Sequence, residues 1–89
     1  MTNNEAAQLA LKRPATPQEI QGLLDWRKGI GVHPRARDFT TKHLDEFFNK
    51  LRRGDQIWYF NDMGDLAGAA GYAIVREGIV VETFIELMS

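Results

Sequence analysis

Gly71-Tyr72-Ala73-Ile74-Val75-Arg76-Glu77-Gly78-Ile79-Val80-Val81-Glu82-Thr83-Phe84-Ile85-Glu86-Leu87 is the stretch that decides the fold. Two runs of β-branched and aromatic residues flank Glu77-Gly78, and Gly78 can take the positive φ that a two-residue hairpin turn demands. Strict alternation along the second run turns Ile79, Val81, Thr83, Ile85 and Leu87 to one face. Val80, Glu82, Phe84, Glu86 and Met88 then occupy the other. The first set is the expected core face. Upstream, Ile57-Trp58-Tyr59-Phe60 supplies a third strand, joined to the hairpin through a turn at Asn61-Asp62-Met63-Gly64-Asp65.

Ahead of the strands the period changes to that of a helix. Leu44, Phe47, Phe48 and Leu51 fall at i, i+3, i+4, i+7. Thr40 or Thr41 is the expected cap; with Thr40, Phe39 and Leu44 take the two positions of a hydrophobic staple. Lys50, Arg52 and Arg53 would lie in the last turn and Gly54 would stop it. An earlier helix is predicted over 17–28. Thr16 caps, Pro17 suits the first position, Glu19 closes a capping box, and Gly29 ends the run. Ile20, Leu23 and Leu24 make its apolar stripe, with Trp26 at the edge.

The expected architecture is therefore α+β, with two helices packed on one face of a three-stranded antiparallel meander (ααβββ). Residues 15–89 form the expected domain, and 1–14 a flexible or docked arm, helical or disordered, because a helix as short as 5–13 is marginal alone.

Composition narrows the function. Eighty-nine residues with 44% apolar and 26% charged side chains suit one small globular core. The absence of cysteine removes disulfides, thiolate nucleophiles and thiolate zinc sites. The first 14 residues lack the basic and apolar runs of a signal peptide, and no stretch is apolar enough to span a bilayer, so a cytoplasmic location is expected. The sole serine is the terminal Ser89. His33 and His43 stand ten residues apart, which fits no standard zinc spacing. Asp62 and Asp65, with Asp55 and Glu77, read as turn formers rather than ion ligands. Gly68-Ala69-Ala70-Gly71 has the GxxG spacing of one RNA-gripping loop, but it leads into a strand with no adjacent base, which favours a bulge or close backbone packing. No enzyme, metal or cofactor is expected.

Charge is unevenly spread. Residues 1–54 carry 10 Lys/Arg and 6 Asp/Glu, whereas 55–89 carry 1 and 6. Between 27 and 37 stand Arg27, Lys28, His33, Arg35 and Arg37 with no acid at all. This loop could hold phosphate or nucleic acid, with Arg52 and Arg53 adding to it; the competing structural reading pairs its arginines with the molecule's own acids, Arg27 with Asp62 or Asp65 in particular. The pI near 6.1 leans against nucleic acid as the first choice.

The other candidate surface is the outer face of the sheet, formed by Trp58, Phe60, Val80, Glu82, Phe84 and Met88. An uncovered apolar face of that kind marks a contact site; the competing structural readings are scattered large residues on a single-layer sheet, or cover by the amino-terminal segment through Leu9 and Leu11. The first expectation is thus a small non-enzymatic interaction domain that binds a protein partner or forms a homodimer through its sheet. Anion binding through the basic loop is the alternative, and no membrane is implied.

Overall fold

The computed structural model describes residues 2–64 and 68–88, the side chain of Met88 excepted. Its elements are α1 (Asn3–Ala10), β1 (Leu11–Pro14), α2 (Pro17–Arg27), a 3-10 turn (Pro34–Ala36), α3 (Arg37–Asn49), β2 (Gln56–Asn61), β3 (Ala69–Arg76) and β4 (Ile79–Met88). The α+β class is as expected, but the described residues hold three α-helices and four strands in place of two and three. The chain divides into two compact units, Met1–Ala15 with Arg52–Ser89, and Thr16–Leu51.

The first unit is an antiparallel sheet in the order β1-β2-β3-β4. The stretch expected to be an arm supplies both a helix and a strand. Thr2 and Glu5 form a complete capping box at the start of α1, and the Thr2 hydroxyl and backbone bonds hold the Glu5 carboxyl below its usual range. Helix α1 then runs straight into β1, whose Pro14 sits opposite Trp58. Proline and two cations in a four-residue strand suit a sheet edge, where unpaired N–H groups are a liability. Ala15 N–H adds a bond to the Ile57 carbonyl at 2.8 Å.

An eight-residue helix is held by packing, not by propensity. Ala7 and Ala10 of α1 rest on Phe60, Ala69, Ala73, Val75 and Val80, with Leu11, Trp58 and Ile85 at the margin. Small residues on the helix let its backbone approach β4, while Phe60 and the β3 alanines fill the depth. Gln8 fixes the docking. Its side-chain amide donates to the Gly78 carbonyl at 3.0 Å and accepts from Val80 N–H at 2.7 Å. In this unit, then, the helix lying on the sheet is α1, within the stretch 1–14 expected to be a flexible or docked arm.

The hairpin turn forms as expected, with Glu77 at φ 52° and Gly78 at φ 81°. The alternation along β4 does not. Register shifts separate Ala70 from Gly71 and Ile74 from Val75, so Val80 faces with Val75, whereas Glu82 pairs with Ile74 and Phe84 with Tyr72. Each bulge adds one residue and reverses the faces beyond it. Val80, Thr83 and Ile85 therefore share the α1 side, and Glu82 and Phe84 the opposite one. Gly71 is required at the second bulge, since a Cβ there would collide with the Phe84 carbonyl oxygen. The GxxG spacing thus reflects close backbone packing.

On the side away from α1, Ile57, Tyr72, Ile74 and Phe84 are buried. Tyr59 and Tyr72 rings lie 5.8 Å apart, and the Arg13 guanidinium sits 5.0 Å above Tyr59. At the end of β3, Arg76 grips Asp55 with two bonds of 2.9 and 2.8 Å, and Arg52 N–H donates to the same carboxylate at 2.8 Å.

The second unit is a pair of helices. Helix α2 starts as the sequence predicts, with Thr16 and Glu19 in a capping box and Pro17 in the first turn. Leu23 is buried on it, and Leu44 and Phe47 are buried on α3. Helix α3 departs from expectation at both ends. It begins at Arg37 after a 3-10 turn, with Ala36 in the cap position and no side-chain cap bond. Thr41 instead donates its hydroxyl to the Asp38 carbonyl at 3.2 Å. It ends at Asn49, so Arg52 and Arg53 lie beyond its last turn. Phe39 is consequently inside the first turn and 66% exposed, not an N-terminal staple.

Candidate functional site

The expected interaction surface does not exist as a single face. Phe60 and Val80 belong to the core beneath α1, and Trp58 packs at its edge. Phe84 is buried on the opposite side, only 7% exposed, and Glu82 shares that side with it. Met88 is paired with Ala69 through the backbone, and its side chain lies outside the described residues. The physical reason is the pair of bulges in β4 together with the cover given by α1. A face inferred from strict alternation was split in two and filled.

The basic loop survives with a changed membership. The Arg27 Nε donates to Asp45 at 2.7 Å, and its guanidinium lies 5.5 Å from the centre of the Phe48 ring. Asp65, one of its two expected partners, is outside the described residues. Arg27 is thus a structural strut between α2 and α3. His33 is also partly committed, its Nδ1 accepting from Arg35 N–H at 3.1 Å, which closes the 3-10 turn. Arg52 and Arg53 belong to the other unit.

Lys28, Arg35 and Arg37 remain, all exposed. Among the described residues none of the three forms an ion pair. The turn that carries them is rigid for identifiable reasons. Lys28 and Gly29 N–H groups bond back to α2, Gly29 takes φ 83°, and Ile30 N–H reaches the Asp25 carbonyl at 2.9 Å. The stem of Arg37 lies over Gly29, where a Cβ would come within 3.1 Å of Arg37 Cδ.

Sequence reasoning missed the aromatic part of this surface. The exposed Phe39 ring stacks on His43 with centroids 4.0 Å apart and planes at 26°, and His43 Nδ1 donates to the Phe39 carbonyl at 2.9 Å. Lys42, also exposed, lies between them in sequence. The available signal was the i, i+4 spacing of Phe39 and His43, about 140° and 100° around the helix from Leu44 at about 100° per residue.

Among the described residues no group of three or more His, Asp or Glu side chains is arranged to hold a metal ion, and no helix is long and apolar enough to cross a membrane. Comparison with protein-family models, with curated proteins and with solved structures finds no match to this chain.

Proposed function

We propose that the protein is a non-enzymatic binding module whose basic surface, Lys28, Arg35 and Arg37, with the exposed Lys42 on the following helix, holds a polyanion. The observation that carries this reading is the contrast among its cations. Arg27 and Arg76 are each matched to a carboxylate, whereas the three cations of the 28–37 turn are exposed and unmatched on a stiff backbone. Exposed like charges held together repel, and a multivalent anion relieves that repulsion while releasing its own counterions. The pI near 6.1 does not oppose this, because the acidic excess resides in residues 55–89 and the attraction is local. Binding of a labelled polyanion should weaken steeply with added salt, and the double change Arg35→Glu with Arg37→Glu should abolish it while leaving the circular dichroism spectrum intact. Salt-independent binding, or binding that survives the double change, would refute the reading.

A second reading, association between copies through the sheet, rests on β4. This ten-residue strand is the sheet edge and exposes Ile79 (60%) and Leu87 (58%). Against it, Val80 N–H is occupied by Gln8 and Thr83 N–H by the Glu82 carboxylate. Sedimentation equilibrium decides: a dimer abolished by Ile79→Lys favours the edge, and a concentration-independent monomer removes it.

A further inference from the structure

We infer that the polyanion is single-stranded nucleic acid, with Phe39 as the ring on which a base stacks; this rests on the polyanion reading above. Phe39 is placed where neither folding nor solubility explains it. It is 66% exposed, whereas Leu44 and Phe47 on the same helix are buried. The ring is nevertheless fixed, backed on one side by the His43 imidazole, which is itself tied to the backbone. A ring held in place with most of its surface in water loses little conformational freedom on binding and still has apolar area to bury.

Two cations stand near Phe39 in sequence, Arg35 four residues before it and Lys42 three after it on the same side of α3, while Arg37, two residues before it, faces elsewhere with its stem over Gly29. A single strand alternates flat bases with charged phosphates, so a ring flanked by cations satisfies both in one contact. A duplex offers phosphates but hides its base faces inside the stack, and an acidic protein offers carboxylates with no planar group to cover the ring. On the same helix Glu46 bounds the attractive surface on its far side, and the exposed Asp38 carboxylate lies within the first turn.

The test uses fluorescence anisotropy at low salt with four probes: a labelled oligothymidylate about 12 nucleotides long, within the usual footprint of such surfaces, a hairpin duplex, poly-glutamate, and inorganic phosphate as competitor. Variants are Phe39→Ala, Phe39→Tyr and the Arg35→Glu, Arg37→Glu pair. The single strand should bind more tightly than the duplex or poly-glutamate. Phe39→Ala should weaken it by roughly 5- to 150-fold, the range for loss of one stacked base. Phe39→Tyr should restore it, and duplex binding should not change. The melting temperature of Phe39→Ala should match the parent, because the ring is exposed. If oligothymidylate affinity is unaltered by Phe39→Ala, or duplex or poly-glutamate binds as tightly as the single strand, the stacking inference is overturned while the polyanion reading stands. Complete displacement by inorganic phosphate also overturns it, in favour of a small-anion site. If none of the probes binds, the polyanion reading itself falls.

Discussion

Two ion pairs among the described residues, Arg76–Asp55 and Arg27–Asp45, share a chemistry and differ in almost everything else. Asp55 is 2% exposed and takes two bonds from Arg76 plus one from Arg52 N–H; Asp45 is 56% exposed and takes one bond from Arg27. The contrast extends to the units around them. The sheet unit holds most of the buried side chains, Phe60 and Ile74 among them, although Ile79 and Leu87 stay exposed on its edge strand. The helical unit buries Leu23, Leu44 and Phe47 and leaves Lys28, Arg35, Arg37 and Phe39 exposed. The difference teaches where substitutions should be felt as stability and where as binding.

The largest effect should come from the core of the sheet unit. Phe60 is 1% exposed and fills the space between Ala7, Ala10 and the β3 alanines. Phe60→Ala should cost about 3–5 kcal/mol, since both the transfer of the ring and the cavity count against the fold. That is a large part of the roughly 4–13 kcal/mol expected for a chain this long. A urea titration showing a loss below about 1 kcal/mol, the scale of an ordinary surface change, would mean that α1 does not depend on this ring for its seat.

The next effect concerns pH and the buried carboxylate. The bonds from Arg76, and less so from Arg52 N–H, hold the Asp55 carboxyl below its usual range, although desolvation pushes the other way. A carboxyl with a depressed folded value binds its proton more readily in the unfolded chain. Its contribution is therefore complete above the unfolded value, about 4, and is lost as pH falls through the folded one. The urea midpoint should drop between pH 5 and acid, and Asp55→Asn should flatten that dependence while lowering the midpoint at neutral pH. An unchanged slope in Asp55→Asn would show that other carboxylates govern acid stability.

How much of this could be read from the chain varied with how local the determining physics was. The start of α2 was legible because Thr16, Pro17 and Glu19 act on their own neighbours. The hairpin was legible for the same reason, Glu77 and Gly78 supplying the positive φ angles. The start of α3 was not, because its first turn is continued from a 3-10 turn and no side chain marks it. Strand β1 escaped notice because Lys12, Arg13 and Pro14 earn their place only against β2, a partner more than 40 residues away. The bulges in β4 are equally non-local. The Gly71 required at the second bulge was noticed as a packing glycine, but nothing in the sequence marks the first, between Ile74 and Val75, which reverses Val80 against Phe84. The basic loop was visible as composition, since like charges cluster in 27–37, yet Phe39 was assigned to a staple that the earlier helix start removes.

The smallest effect is the most diagnostic of the helical unit. Arg27 and Asp45 meet at 2.7 Å, but both side chains are more than a third exposed, at 36% and 56%. Water and salt screen such a pair, and holding two long side chains together costs rotamer freedom, so Asp45→Asn should change stability by about 0–1 kcal/mol. Its effect on charge is different in kind. Releasing Arg27 adds a fourth unmatched cation next to Lys28, Arg35 and Arg37. If the basic surface meets an anion, Asp45→Asn should raise affinity for oligothymidylate at low salt and steepen the salt dependence by about one unit of slope. The same substitution should then leave the thermal midpoint nearly still while moving the binding curve. A change in stability without a change in binding would reverse the comparison, making the exposed pair a brace and the surface around it inert.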